Sequence, residues 1–437
     1  MNVVLLSGGS GKRLWPLSND IRSKQFIKFF KKENGEYESM VQRMYRGLKT
    51  ADPDAVITVA TGAKQISELK NQLGEDVGIS KEPDRRDTFP AIVLACAYLT
   101  DVMNVSPKET VVICPVDPYV EDGYFTALKK LGELAAVSEA NLCLIGIKPT
   151  YPSAKYGYII PKTTDEVSEV SMFKEKPDEK TAAEYIAQGA LWNAGVFAFR
   201  IEYLLKKAEE LIGYKGYEDL FARYSTLDKI SFDYAVSEKE DNIAVMQYEG
   251  AWKDLGTWNT LTESVSENIM GKGIMDDTCK NVHVINELNV PILAMGLSDV
   301  VISAGPEGVL VSDKHQSSYM KPYVDSIEGQ VMFAEKSWGS YRVLNVEDKS
   351  MTILVTLNPG HSMNYHSHKL RDEVWVVVEG NGTAVVDGMS QKIKAGDVIT
   401  MQAGCRHTVM AEDTLKIVEV QLGEEISVYD KRKFELE

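Results

Sequence analysis

From Asn2 to about Arg200, short β-branched apolar runs alternate with stretches of helical periodicity. Residues 3–6, 55–60, 111–114 and 141–147 are almost continuously apolar, the pattern of strands buried on both faces of a sheet. Helices are predicted between them around residues 39–48, 63–73 and 90–103. This alternation predicts an α/β domain over residues 1–270, with a mixed, mostly parallel, Rossmann-like sheet covered by helices on both faces. Near Gly271 the texture changes. Residues 282–285, 300–303 and 308–312 are short β-rich pieces separated by polar turns. The 271–327 region is too short for an independent core and must pack on a neighbour, with residues 314–326 reading as a linker. Residues 328–437 are almost wholly strand-like, with turns at Gly360, Gly380-Asn381-Gly382, Asp387-Gly388, Gly396 and Gly404, which predicts an all-β barrel or sandwich.

Composition narrows the chemistry. The 437 residues suffice for two or three domains, and 44% hydrophobic with 26% charged residues fits folded globular units. Lys and Arg number 48 against 64 Asp and Glu, a net charge of −16 that repels phosphodiester backbones and anionic lipid. Neither nucleic acid nor membrane is an expected partner, so an anionic small substrate must be held by local cations, backbone N–H groups or a metal. The longest helical apolar run, 91–99, is well short of the roughly 20 residues a membrane span needs. Residues 1–7 lack a basic leader and a small-residue cleavage site. Cys96, Cys114, Cys143, Cys279 and Cys405 are widely spaced and odd in number, the usage of reduced thiols. A cytoplasmic location is expected.

The first strand runs into Ser7-Gly8-Gly9-Ser10-Gly11-Lys12-Arg13-Leu14-Trp15-Pro16-Leu17. Glycines after a strand expose successive N–H groups, and Lys12 and Arg13 add charge suited to phosphate oxygens. The loop is neither a Walker sequence, because Leu6 and Arg13 occupy the wrong places, nor a GxGxxG, because Leu14 does. A tight strand-to-helix turn would use the same glycines.

Taken with the segments that follow, the loop resembles the signature of sugar-nucleotide pyrophosphorylases, in the form found in mannose-1-phosphate guanylyltransferases. Lys24-Gln25-Phe26 is similar to that family's Lys-containing element and implies that Lys24 binds phosphate. Glu82-Pro83 with Arg85-Arg86-Asp87-Thr88-Phe89-Pro90-Ala91 resembles its guanine-pocket segment, with Asp87 and Phe89 where Asn and Ala are usual. The resemblance implies nucleotide contacts from Gly8, Gly9, Gly11, Lys12, Glu82, Pro83 and Arg86. Asp117, in Pro115-Val116-Asp117, ends a strand and is the implied metal carboxylate. Tyr156-Gly157, Glu175-Lys176-Pro177 and Asn193-Ala194-Gly195 resemble the sugar-phosphate elements, followed by Asp233 in Phe232-Asp233-Tyr234. Asp254, in Trp252-Lys253-Asp254, is the implied second metal carboxylate.

Nucleotidyl transfer explains these residue types. A sugar phosphate attacks the α-phosphorus of a nucleoside triphosphate in line and displaces pyrophosphate, so several anions must be brought together. Mg²⁺ takes one or two carboxylates plus phosphate oxygens and water, the set Asp117 and Asp254 would supply. Arg13, Lys24 and Lys176 would neutralise the growing charge and the glycine loop would cradle the triphosphate. Singly each has an ordinary alternative: Asp117 as a turn or cap, Lys176 as a solvated cation, Asn193 as a turn former.

Four of the six histidines fall between residues 361 and 407. Gly360, His366, His368, Glu373 and Gly380, followed by Gly396, Gly404 and His407, match the two motifs of the cupin family, with Gln402 in place of the usual Pro. Residues two apart on a strand face the same way, so His366 and His368 could meet Glu373 and His407 around a divalent transition metal: Zn, Mn, Fe, Ni or Co. His361 reads equally as a loop residue. A transferase followed by a cupin resembles bifunctional type II phosphomannose isomerase/GDP-mannose pyrophosphorylases, whose catalytic Arg falls on Arg371, although His366 stands where they carry Gln. The resemblance implies GTP and mannose 1-phosphate as substrates, mannose 6-phosphate as a further one, and a homo-oligomer. Two alternatives stay open: a pyrophosphorylase for another hexose 1-phosphate or nucleotide with a purely structural cupin, and a non-catalytic sugar-nucleotide sensor.

Overall fold

The structure is a computed structural model that describes residues 1–9, 12–19, 21–327, 329–426 and 430–435. It divides into two compact units: Met1–Ser10, Lys24–Ile66 and Asp76–Val265 form the first, and Gly11–Ser23, Ser67–Glu75 and Ser266–Glu437 the second.

The first unit is built on a nine-stranded sheet. Its strands are β1 (Asn2–Leu6), β2 (Val56–Gly62), β3 (Gly78–Glu82), β4 (Thr110–Pro115), β5 (Leu142–Ile147), β6 (Tyr158–Pro161), β7 (Val167–Lys174), β8 (Leu191–Arg200) and β9 (Ile243–Tyr248). They lie in the order β3-β2-β1-β4-β8-β5-β9-β7-β6. The sheet is mixed, as expected: β3 through β4 are parallel, as is the β5–β9 pair, while β8 enters antiparallel between β4 and β5. The four apolar runs read from the sequence all become strands of this sheet.

Helices α1 (Met40–Ala51), α2 (Thr88–Asp101) and α3 (Asp122–Val137) cover the sheet. α2 is apolar almost all round, with every residue from Phe89 to Ala97 buried, as a helix sunk in a core must be. It packs in one cluster with Val4, Val111, Ile113, Leu144, Phe197 and Val245. α3 takes the other face, because its Gly132 comes so close to Val112 that a Cβ there would stand 3.1 Å from the valine methyl. Val112 points opposite to Val111 and Ile113, so successive residues of one strand feed two cores. α1 starts with a capping box between Ser39 and Gln42 and lays its Gly47 against the ring of Phe125 in α3, where a Cβ would collide at 2.2 Å.

In the second unit, Ile269–Gly271, His283–Asn286 and Val300–Gly305 stack in parallel, Gly308–Asp313 closes that sheet as a hairpin, and Gly273–Met275 pairs in parallel with Ile292–Ala294. Successive parallel rungs are the β-helix-like arrangement expected here, around Val282, Val284, Ala294 and Ile302. The segment that continues the glycine loop is held here: Arg22 makes two bonds to Glu287, just after His283–Asn286, at 2.8 and 2.9 Å, and Asn19 donates to Glu307 in the hairpin turn at 2.8 Å. Residues 314–326 differ from the expected linker. They form a 3-10 turn, Gln316–Tyr319, and a short helix, Lys321–Asp325, because the Lys314 ammonium is drawn inward to Asn281 and to His283 Nδ1.

The remaining strands of this unit form a cupin-like double sheet of six and five strands. Met351, Ile353, Val355 and Leu357 alternate inward, as do Trp375 and Val377 and Leu415 and Ile417, giving a core centred on the fully buried Trp375.

Candidate functional site: a cleft at the sheet edge and a histidine cluster

Parallel pairing brings the carboxyl ends of four strands to one edge, since Leu6 is level with Ala60 and Pro115, and Gly62 with Glu82. The chain steps outward from β1 to β3 and then returns to β4 on the other side of β1. A crevice of the kind that takes ligands in open α/β sheets therefore opens between β1 and β4. Ser7, Gly8 and Gly9 leave β1 there and Asp117 leaves β4.

The loop's carbonyls are tied down. Ser7 O accepts from Gln25 Nε2 at 3.0 Å, and Gly9 O accepts from Gln65 Nε2 at 3.2 Å and Arg85 at 3.3 Å. Gly8 and Gly9 are exposed, and Gly11 lies outside the described residues. Lys12 and Arg13 stand on the 3-10 turn Lys12–Leu14, Arg13 exposed and Lys12 paired with Asp325 at 3.3 Å. Glu82 ends β3 close to Gly8. Burial pushes its carboxyl up to about 7, although the Tyr224 hydroxyl donates to it at 3.2 Å. Pro83 is exposed, and Arg86 is drawn to Asp84 at 2.7 Å. Arg85, rather than Arg86, is the guanidinium that reaches the glycine loop. Both departures from the family pattern have structural employment: Asp87 sits at φ 67° and accepts from Thr88 N–H, which Asn would also tolerate, and Phe89 is buried in the core.

A cleft of about 250 Å³ gathers most of the other expected residues: Asp117, Tyr156, Gly157, Glu175, Asn193, Asp233 and Asp254 all line it. Asp117 and Asp254 meet through a two-stranded ribbon, Trp252–Asp254 antiparallel to Pro118–Val120, in which Asp254 is directly opposite Pro118. Opposed Cα atoms in such a pair are about 4.5–5.5 Å apart, so the backbone of Asp254 lies beside that of the residue following Asp117. The Lys24 ammonium lies 2.8 Å from Asp117. At the other end Lys176 pairs with Glu175 and sits over the Tyr234 ring at 5.9 Å. Its φ of 46° is a left-handed conformation costing about 1–2 kcal/mol for a residue with a Cβ, the kind of strain concentrated at functional positions. Asn193 donates to Asp233 at 2.8 Å and accepts from Gly195 N–H at 3.0 Å. Gly157 leaves room for Glu175, whose Oε2 would be 2.5 Å from a Cβ at that position.

Burial, reinforced by the negative charge of Glu175, pushes Asp233 up to about 7, well above an ordinary aspartate. A folded-state pKa above the unfolded one means that protonation favours the fold. The contribution is complete below about pH 4 and is lost as pH rises through 7. The ligand-free Asp233→Asn variant should therefore gain stability relative to the parent between pH 5 and pH 8, by on the order of 1–2 kcal/mol because the cleft remains partly open to water. Urea denaturation at the two pH values checks this, and an equal difference at both would refute it.

In the cupin-like double sheet, His366, His368 and His407 place ligand nitrogens within 4.8 Å of one another. His366 pairs across strands with His407, which brings the two motifs together. Each ring uses Nδ1 on a main-chain carbonyl: His366 on Asn364 at 2.6 Å, His407 on Cys405 at 3.1 Å, and His368 on Asp430. With Nδ1–H donating in this way, Nε2 is the acceptor nitrogen of each ring, the one a metal would take, and in His368 it lies 3.0 Å from the Arg371 guanidinium. Burial also lowers His366 to about 2 and His368 to about 4, keeping both neutral and competent as ligands. Glu373 closes the group, 3.2 Å from His368 Nε2 and from His407 Nε2, and Arg371 donates to its Oε1 at 3.0 Å. All these side chains are buried, whereas His361 is only half-buried and lies in a loop on Pro359 O. The donor set of three imidazoles and one carboxylate fits a divalent transition metal.

Sequence reasoning missed Glu419 and Gln421, which stand opposite Trp375 and Glu373 on the inner face of the same sheet. Their signal was available: Leu415, Ile417, Glu419 and Gln421 keep a period of two while turning polar, so core-facing positions carry polar groups. Burial, with Glu373 beside it, raises Glu419 to about 8.

Comparison with known proteins places this architecture. The nucleotidyl transferase family matches residues 2–269, and the cupin domain family matches residues 353–421. The xanthan biosynthesis protein XanB of Xanthomonas campestris pv. campestris (strain B100) is 29% identical over 465 residues, covering 99% of this chain and 97% of that protein. The mannose-1-phosphate guanylyltransferase ManC of Salmonella typhimurium (strain LT2) is 28% identical over 473 residues, with 99% and 97% covered. A crystal structure from Thermus thermophilus, described as a mannose-1-phosphate geranyltransferase, superposes with a TM-score of 0.62 at 27% identity, covering 74% of this chain and 98% of that one. Among the described residues no helix is long and apolar enough to cross a membrane. A glycine loop and an acidic cleft on one mixed sheet, matched along more than half of the sequence, make this chain a member of the nucleotidyl transferase family that carries a cupin domain behind its transferase domain.

Proposed function

We propose that the protein forms GDP-mannose and pyrophosphate from GTP and mannose 1-phosphate. The observation that carries this reading is the pairing of Asp254 with Pro118, the residue after Asp117, which brings both acids to the lining of one cleft with Tyr156, Gly157, Glu175, Asn193 and Asp233. Asp117 and Asp254 fit Mg²⁺, since two acids lining one cleft, one of them already holding the Lys24 ammonium, form a site that favours positive charge. Bound there, Mg²⁺ would supply charge neutralisation between the two phosphates. Glu175, Asn193 and Asp233 would accept and donate hydrogen bonds to sugar hydroxyls, and Lys176 would hold the sugar's phosphate. Lys24 would balance the charge of the departing pyrophosphate, and the glycine loop would cradle the triphosphate. Glu82 would face the guanine. No side-chain nucleophile is required, because the sugar phosphate itself attacks.

The cupin supports a second activity, interconversion of mannose 6-phosphate and fructose 6-phosphate, on the position of Arg371 between His368 and Glu373. A metal on the three histidines would polarise a sugar carbonyl, and Arg371 would orient Glu373 and steady the oxygen on which charge develops.

Pyrophosphate release from a panel of triphosphates and hexose 1-phosphates tests the first activity. GTP with mannose 1-phosphate should exceed every other pair by at least about tenfold in kcat/KM, roughly 1.4 kcal/mol of discrimination. Equal or better rates with ATP or dTTP would remove the guanylyl assignment.

A further inference from the structure

The strand that carries His366 is paired on its outer side by a short strand near the carboxy terminus, Arg432–Lys433, with Lys433 opposite His366 and Arg432 opposite Ser367. Directly opposed residues in an antiparallel pair point to the same face, and alternate residues share a face. Since His366 points into the histidine cluster, Lys433 and Lys431 belong to that face and Arg432 to the other, where it and Arg406 lie over the Phe434 ring at 5.2 and 4.2 Å. The segment is fixed in place: Asp430 O accepts from His368 Nδ1, and the Asp430 carboxylate accepts from the N–H groups of Lys369 and Leu370 at 2.9 and 2.8 Å. Lys431 acts electrostatically on His366 and on Glu373, Glu419 and Arg371, and Lys433 acts on Lys431 in turn. Both lysines are exposed, and no ion pair with an acidic side chain is recorded for either among the described residues.

A chain of net charge −16 thus concentrates Arg371, Lys431 and Lys433 beside its histidine cluster. Arg371 is already paired with Glu373 at 3.0 Å, whereas neither lysine has such a pair among the described residues, and a phosphate dianion is the ligand whose several oxygens satisfy more than one ammonium group. We infer that Lys431 and Lys433 form the phosphate anchor of the cupin site, holding the phosphate of a sugar phosphate while its sugar reaches the histidine cluster. The inference rests on the reading of the cupin as a sugar-phosphate site.

Calorimetric titration of full-length, Zn²⁺-loaded protein tests it, with mannose 6-phosphate, mannose and inorganic phosphate as separate probes. Mannose 6-phosphate should bind, mannose should bind at least tenfold more weakly, and Lys431→Gln with Lys433→Gln should weaken mannose 6-phosphate at least tenfold. Zinc content and pyrophosphate release should be unchanged in that variant. Inorganic phosphate separates the sources: binding as tight as mannose 6-phosphate would make this a site for free phosphate and overturn the sugar-phosphate anchor. Unchanged affinity in the double variant, or no binding by the parent, would overturn it as well. Failure of the isomerase reading is distinct: mannose 6-phosphate would bind through the two lysines without being converted to fructose 6-phosphate.

Discussion

Replacing Asp254 by Ala is expected to reduce pyrophosphate release by roughly 10³-fold or more, while the thermal unfolding midpoint stays within a few degrees of the parent. The argument is electrostatic. In the proposed reaction two phosphate-bearing reactants would share one cleft with two carboxylates, and the only arrangement of those charges that does not repel itself has a cation between them. Asp117 alone leaves that cation one protein ligand, and Lys24, already 2.8 Å from Asp117, then competes for the remaining carboxylate. Asp254 ends a short ribbon as a half-buried polar residue rather than filling a core, so its replacement is expected to change stability by no more than about 1 kcal/mol. Asp254→Asn separates charge from shape, since it keeps the volume and loses the anion, and it should fall nearly as far. Initial rates over a range of Mg²⁺ concentrations, beside a melting curve, decide the matter. Retained turnover in either variant would remove Asp254 from the reaction.

The second large effect concerns the cupin. Glu373→Ala or His407→Ala should strip the metal from the protein, lowering metal affinity by about 10- to 100-fold or more and abolishing isomerisation. Guanylyl transfer should remain within a few-fold. The histidines already spend Nδ1 on carbonyls, so their orientation survives ligand loss, but a three-donor remnant grips a divalent ion less well than the full set. Removing Glu373 also leaves the Arg371 guanidinium buried without the carboxylate it donates to at 3.0 Å, so some loss of stability accompanies it. Comparison with His407→Ala, which keeps that ion pair, isolates the metal effect. Metal content by elemental analysis and the two activities measured on one preparation provide the check. Joint loss of both activities would mean that the cupin serves the transferase structurally instead.

Beyond its own family, the arrangement illustrates how few constraints are needed to place two candidate sites on one chain. A crevice between β1 and β4 follows from the reversal of strand order alone, and the acids placed in it need no further scaffold than a three-residue ribbon. In the cupin, the cross-strand pairing of His366 with His407 brings its two motifs together, and Glu373 joins them from a third strand.

The elements and their order were already legible in the local run of residues. Apolar runs at residues 3–6 and 111–114 could only be doubly buried strands, and the spacing of His366 and His368 put both on one face, because side-chain period is a local property of the backbone. The residues on which the proposed phosphate and metal chemistry rests, including Asp117, Asp254 and Glu373, were likewise legible as candidates. Which distant strands pair was settled only by the folded chain. That pairing set Asp254 opposite Pro118, turned Arg86 to Asp84 while Arg85 reached the glycine loop, drew Lys314 inward from an expected linker, and ranged Glu419, Lys431 and Lys433 around the histidines. Periodicity tells a residue which way to point, but only the packing of the whole sheet tells it what it will meet.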